Sequence, residues 1–402
     1  MRLSQRLSPL IGCVILLVSA CASGTSAPQT TEPPLKTAAP PSIAPDVLGR
    51  RGELVDSAPF DSPSEALTHA GGTATRIVYR STSGIDGGPR LVRGSVFVPP
   101  GNSPDGGWPI ITYGHGINGV ANGCGPSLFP DLLGYDLVVA SLLKLGFVVA
   151  LSDYEGLGET GQYPLLEPKT AAYNLIDIVR AARQVVPAAS DEWLAFGVSE
   201  GGHAAWAANE WASTYGDGLH FLGSAALSPT TNLSGLARLA SSGWLSHDEQ
   251  ATLPMTLAGL RVTHPDINLN DYLHGPLAIN PAMWQACAGP DVAQRLQVAS
   301  TLDRYASEPS SDAAADRLTH ALNDLAVPQR PASGPMLVIT GDNDTIVRPQ
   351  WVRTAVHDAC RFGDKVQFIV RPGEGHDNLK GGDDAGVWLL DRLADKPAPN
   401  NC

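Results

Sequence analysis

The chain has 402 residues, with 27 Lys and Arg against 40 Asp and Glu, giving a formal net charge of −13. An acidic balance without a basic cluster or a nucleic-acid motif excludes a nucleic-acid partner. The ten histidines carry no metal-ligand spacing, and neither a metal nor a cofactor is expected.

The N-terminus addresses the compartment. Met1-Arg2-Leu3-Ser4-Gln5-Arg6 supplies a positive start, Leu10 to Val18 a short apolar stretch, and Leu17-Val18-Ser19-Ala20-Cys21 a lipobox. Residues 1–20 therefore read as a bacterial lipoprotein signal and Cys21 as the lipidated first residue of an exported mature chain, held at the outer face of the cell membrane or the cell surface. The apolar stretch is too short to span a bilayer comfortably. Ordinary secretion is the alternative. Losing Arg2 and Arg6 makes the body more acidic still, so membrane attachment rests on the lipid and not on a basic patch. Residues 21–47 mix Ser, Thr and Ala with Pro28, Pro33, Pro34, Pro40, Pro41 and Pro45, a composition that builds no core and reads as a disordered tether. The roughly 350 residues beyond it suffice for one large sheet-based domain with an insertion.

Ala74 to Arg80 and Leu91 to Val98 read as the first strands, with a turn at Gly84 to Gly88 between them. Pro109 to Tyr113 is the third, and it opens into Gly114-His115-Gly116-Ile117-Asn118-Gly119, with Cys124-Gly125-Pro126-Ser127 beyond. A helix at about 137–145 leads to the strand Phe147 to Leu151 and the loop Asp153-Tyr154-Glu155-Gly156-Leu157-Gly158. That loop either shapes a pocket wall or holds the preceding glycine loop. A helix over 169–186 follows.

Asp191 to Trp206 is the most informative stretch: a buried strand, the turn Gly197-Val198-Ser199-Glu200-Gly201-Gly202, then an alanine-rich helix. A serine exposed on so sharp a turn needs neighbours without bulk, which the glycines supply. The turn also aims the N-terminus of the helix at 200–214 toward the reaction centre, where its N–H groups can meet a developing negative charge. Ser199 is therefore the candidate nucleophile. His203, one turn on, reads as packed.

After the strand Leu222 to Leu227 the strand–helix rhythm breaks. Residues 228–327 show helical patterns near 231–241, 253–263 and 292–305 and read as a helical cap. It is inserted between core strands 6 and 7 of a sheet formed by 48–227 and 328–402. Trp244, Met255, Leu257, Leu260, Met283 and Trp284 are candidates to line an acyl pocket, although ordinary cap core accounts for any one of them. The rhythm resumes with Met336 to Thr340, which opens into Gly341-Asp342-Asn343-Asp344. Either aspartate can orient a histidine. Val366 to Val370 is the last strand, and the loop after it carries His376 between Gly375 and Asp377, in the serine–acid–histidine order that this architecture uses.

On these motifs the chain resembles the α/β-hydrolase superfamily, and within it the secretory lipases of fungi and actinobacteria, from about residue 75 to the C-terminus. The resemblance implies a mostly parallel sheet flanked by helices, and prefers Asp344 over Asp342 through the spacing Gly341-x-x-Asp344-x-x-Val347. It assigns His115 and Gly116 to an oxyanion loop, with the backbone N–H groups of Ile117 and Glu200 as donors. The family more often has a small polar residue at 117 and glutamine at 200; Glu200 is expected to turn along the helix face into a hydrogen-bond network. Cys13 leaves with the signal, and four cysteines beyond Cys21 allow three pairings. The resemblance favours Cys124 with Cys287 and Cys360 with Cys402, in keeping with an oxidising compartment.

The expected activity is carboxylic-ester hydrolysis of a lipid or other ester through an acyl-enzyme on Ser199. His376 is the general base and acid, Asp344 orients it, and the rate rises as His376 loses its proton. A serine peptidase or acyltransferase could use the same groups, and a surface lipoprotein that binds lipid or a partner without turnover is the third reading. Acyl length and oligomeric state have no sequence signal.

Overall fold

A computed structural model describes Leu35 and residues 37–402. The expected signal, Cys21 and the tether as far as Pro34 lie outside the described residues.

Among the described residues nine strands make one sheet: Leu54–Pro59 (β1), Thr73–Thr82 (β2), Pro89–Val98 (β3), Trp108–Gly114 (β4), Val148–Ser152 (β5), Ala189–Val198 (β6), His220–Leu227 (β7), Met336–Gly341 (β8) and Val366–Arg371 (β9). Their order is β1-β2-β3-β5-β4-β6-β7-β8-β9. β1, β2, β3 and β5 pair antiparallel, and every pairing from β5 through β4 to β9 is parallel. A parallel sheet must be covered on both faces, and the strands show it by sending successive residues to opposite sides. Ile110, Trp193 and Ala195 face one core with the helices Pro168–Val185 (α4) and Glu200–Tyr215 (α5). Ile111, Leu194 and Phe196 face the other, with Asp136–Lys144 (α3) and Gly382–Leu393 (α13).

Two expectations are corrected. β1 was not foreseen. Its residues are almost all exposed and lack apolar alternation, so its state comes from pairing with β2 and not from a buried face. The cap falls in the expected place, after the strand ending at Leu227 and before the one beginning at Met336, which with β1 counted are the seventh and eighth strands. Residues 37–47, expected within the tether, lie on the body: the Ala38 N–H donates to the Gln329 carbonyl at 2.9 Å, Ala38 and Ile43 pack on the core, and a short helix, Pro45–Gly49 (α1), begins there. Glu65–Ala70 (α2) follows β1.

The cap leaves β7 and returns at β8, strands that are paired neighbours. Its helices are Gly235–Ser241 (α6), His247–Thr263 (α7), Pro276–Ile279 (α8), Pro281–Gln285 (α9), Pro290–Ala299 (α10) and Asp312–Asp324 (α11). α7 starts earlier than its apolar pattern suggested because Ser246 and Glu249 form a capping box, each side chain meeting the other's backbone N–H. Pro349–Phe362 (α12) lies between β8 and β9. One disulfide, Cys124–Cys287, ties the loop beyond β4 to the cap, and the other, Cys360–Cys402, ties α12 to the C-terminal tail.

Candidate active site

Ser199 stands between the end of β6 and the first residue of α5 with φ 60° and ψ −121°, a conformation that L-residues hold only under constraint. The constraint is close backbone approach. A Cβ on Gly201 would lie 1.8 Å from the Gly114 carbonyl oxygen, and one on Gly197 would lie 2.1 Å from that of Gly201. Only glycine lets the start of α5 press against the ends of β4 and β6. The Ser199 N–H donates to the Leu227 carbonyl at 2.9 Å, and its own carbonyl accepts from the N–H groups of His203 and Thr230, each at 3.1 Å.

The loops after β8 and β9 bring two further residues to this turn. The His376 Nε2 lies 2.9 Å from Ser199 Oγ, and its Nδ1 lies 2.8 Å from Asp344 Oδ2. Asp344 is buried, and its other oxygen accepts from the N–H groups of Ile346 at 2.9 Å and Val347 at 2.8 Å. Burial opposes the charge, but the His376 hydrogen bond and these N–H groups outweigh it and hold the carboxyl below its ordinary range. A carboxylate only accepts, so Nδ1 carries the imidazole proton and Nε2 is left to accept from the Ser199 hydroxyl. Asp342 is exposed and instead accepts from the Gly373 N–H at 2.6 Å, closing the loop that carries His376.

His115 is buried beside the Tyr154 ring, centroids 4.4 Å apart, with its Nδ1 2.7 Å from the Gly116 carbonyl oxygen. Desolvation lowers its pKa to about 4, so the ring is a neutral strut for the loop. The Gly116 N–H donates to the Tyr135 hydroxyl at 3.0 Å, whereas no acceptor among the described residues meets the N–H of Ile117. The Glu200 N–H, at the first helical position, has no intrahelical acceptor either.

The Glu200 side chain turns away into a single contact rather than a network. It is buried, one oxygen accepts from the Tyr163 hydroxyl, and the other has no partner. Desolvation raises its pKa to about 8 against the opposing effect of that hydrogen bond, so it is mostly neutral at pH 7. Asp153, fully buried, accepts from the Ser127 N–H at 2.9 Å and its hydroxyl at 2.5 Å, and so anchors the Cys124–Ser127 turn instead of walling a pocket. His203 is buried with Nδ1 2.7 Å from the Thr230 carbonyl oxygen.

A cavity of about 420 Å³ opens over Ser199 and His376. Its wall combines Leu233, Leu236, Ile346 and Val347 with Thr230, Thr252 and Thr256. None of the six large cap residues offered as candidates for an acyl pocket lines it, and the reading as ordinary cap core holds for most of them. Met255, Leu257, Leu260 and Trp284 are buried in the cap's own core, Met283 is partly buried against it, and Trp244 is 70% exposed. Sequence reasoning missed Tyr135, Tyr163 and Thr230, which have no local signature. It also missed Glu249, whose pattern Ser246-x-x-Glu249 was readable as a capping box.

A sequence model of the family described as secretory lipase matches residues 132–401. The glycine loop at 114–119 precedes that span. The chain is similar in structure to Candida antarctica lipase A in its closed state, at 16% identity and a TM-score of 0.68, over 89% of this chain and 88% of that one. It is also similar to a ligand-bound form of the rice cell wall degrading esterase LipA from Xanthomonas oryzae, at 21% identity and a TM-score of 0.69, over 86% of this chain and 100% of that one. These likenesses establish the α/β-hydrolase fold. No curated protein sequence matches the chain significantly.

Proposed function

The chain belongs to the secretory lipase family and is a carboxylic-ester hydrolase, and from that premise we propose that it cleaves its esters through an acyl-enzyme on Ser199. The observation that carries the reading is the unbroken hydrogen-bond line from Asp344 through His376 to Ser199, the last two of which line an open cavity. As Ser199 Oγ bonds to the ester carbonyl carbon, its proton passes to His376 Nε2, and Asp344 stabilises the imidazolium. The N–H groups of Ile117 and Glu200 hold the oxyanion. The alcohol leaves with the proton from His376. Water then attacks the acyl group, giving one proton to His376, and collapse returns that proton to Ser199 and frees the carboxylic acid.

The cavity and its part-apolar wall suit the acyl portion of a short or medium ester. The family and the two disulfides point to an extracellular or secreted protein. Lipidation at Cys21 would fix it to the membrane's outer face. Mass spectrometry of the mature N-terminus tests that, since a chain starting at any other residue removes the anchor.

Hydrolysis of p-nitrophenyl esters from acetate to palmitate, by the body from residue 37 and by Ser199→Ala, tests the chemistry. We expect Ser199→Ala to lose at least a thousandfold in kcat and the optimum to fall at or below octanoate. Equal turnover by the two proteins would overturn the role of Ser199, and a palmitate optimum would overturn the assignment of acyl length.

A further inference from the structure

Near the start of the family's matched span, and touching the glycine loop that precedes it, lies a tyrosine whose hydroxyl has a proton to spare. Tyr135 precedes α3, after a sharp turn in which Leu132 and Leu133 hold φ 54° and 57°. Its ring is wedged against those of Tyr113 and His115, centroids 5.8 Å away in each case, which fixes where the hydroxyl points. The oxygen accepts the Gly116 N–H at 3.0 Å. No acceptor among the described residues takes the phenol's own proton.

That proton is at the site. Tyr135 lines the same cavity as Gly116, Ile117, Ser199 and His376. A Cβ built on Gly116 would stand 3.1 Å from the Tyr135 oxygen and 3.8 Å from the Ser199 Cβ, so the phenol and the nucleophile both border the space over this glycine. With the Ile117 N–H holding the carbonyl oxygen of an ester on Ser199, the phenol borders the same part of the cavity as that oxygen. The Gly116 N–H cannot serve the oxyanion because Tyr135 already takes it.

We propose that Tyr135 is a catalytic residue, donating its O–H to the oxyanion as a third donor beside the N–H groups of Ile117 and Glu200. The proposal rests on the acyl-enzyme reading of Ser199. The hydrogen bond is made and released without proton transfer, so the phenol is unchanged after each half-reaction. Accepting from Gly116 polarises the hydroxyl and strengthens it as a donor. Burial, and then the nearby carboxyl of Glu200, raise the phenol's pKa, so it keeps its proton across the working range.

The test is Tyr135→Phe, which removes the hydroxyl and keeps the ring. With p-nitrophenyl butyrate we expect kcat to fall about a hundredfold with KM within twofold, the size of effect that loss of one oxyanion donor produces. A trifluoromethyl ketone of the same chain, which adds Ser199 to form a charged hemiketal, should bind more weakly by the same factor. The matching secondary alcohol, which cannot form an oxyanion, should bind as before. A kcat within threefold of the parent overturns the proposal. Equal weakening of ketone and alcohol also overturns it, because that pattern belongs to a tyrosine that only braces the loop. If Tyr135→Phe does not fold, 3,5-difluorotyrosine at 135 keeps the shape and makes a stronger donor: tighter ketone binding supports the proposal and unchanged binding overturns it. Failure of a fluorophosphonate to label Ser199 in the parent protein would instead remove the acyl-enzyme reading and this proposal with it.

Discussion

Arg348 donates two hydrogen bonds, each 2.8 Å, to the two carboxylate oxygens of Glu249. Glu249 belongs to the first turn of cap helix α7 and is buried, while Arg348 directly follows the loop that carries Asp344. Ser246 Oγ adds a 3.1 Å bond to the Thr345 carbonyl. One end of the cap is thus clamped to the acid loop.

Removing one partner of that pair leaves an uncompensated charge. Glu249→Ala is expected to destabilise the protein by about 3 kcal/mol and to lower kcat by loosening Asp344. Arg348→Met in the same chain should restore part of the loss. A double-mutant cycle followed by thermal unfolding measures the coupling, and a coupling near zero would show that the clamp is decorative.

Glu200 gives the pH profile an alkaline limb. Its pKa of about 8 means that a negative charge forms, as pH rises, on the residue whose N–H is proposed to meet the oxyanion. We expect kcat to fall roughly tenfold between neutral and strongly alkaline pH, an effect consistent with one charge at short range in a site of intermediate dielectric. Glu200→Gln should lack that limb. A limb of the same position and depth in the glutamine variant assigns it to another group.

Stability should depend on pH through the buried carboxyls, Asp177 and Glu210 included, whose values burial raises, and through two buried imidazoles. Burial raises Asp153 to about 7 and Glu200 to about 8 from 3.8 and 4.5. It lowers His115 and His203 to about 4 from 6.5. Below pH 6.5 the two kinds oppose each other: the unfolded chain releases the carboxyl protons first but also takes up the imidazole protons first. From pH 6.5 to 8 only the carboxyls remain, the folded state holds more protons, and stability falls as pH rises. Thermal unfolding should show Tm dropping across that window, by less in Glu200→Gln. A flat or rising Tm there contradicts the assignment.

The two disulfides should separate by function. Cys124–Cys287 closes a sequence separation of 163 and Cys360–Cys402 one of 42, for which chain entropy gives about 5 and about 4 kcal/mol. Paired replacement by Ala should lower Tm in both cases. Activity should suffer more for Cys124 and Cys287, because the cap segment beside that bond also pairs with the glycine loop after β4 and the residue following it, through Val120 N–H to Gln285 carbonyl at 3.1 Å and Ala288 N–H to Asn118 carbonyl at 2.6 Å. The comparison is kcat/KM at a temperature where both variants are folded, and equal losses would deny the cap bond a role at the site.

The residues that sequence placed at the site share one property: each follows a strand end and is announced by adjacent glycines or by an apolar run that stops. Ser199, Asp344 and His376 are therefore locally marked. Tyr135, Tyr163 and Thr230 reach the site only because α3, the loop before α4 and the end of β7 converge, and a single sequence carries no trace of that convergence. The cavity wall was not legible for a related reason. The largest apolar side chains of an insertion are consumed by its own core, leaving the wall to threonines and modest aliphatics. β1 was invisible because backbone pairing, not side-chain burial, makes it a strand.

The cap departs from β7 and re-enters at β8, and these strands lie side by side, with Leu227 opposite Ile339. An insertion whose two ends meet is a self-contained cassette. Its replacement by a longer or shorter one leaves the register of the sheet, and the residues its loops present, where they were. What a substitute cassette must bring is small: a carboxylate to answer Arg348 and a thiol to answer Cys124. Descent with altered substrate range is thereby open to this architecture at two points of attachment, while the chemistry beneath is inherited intact.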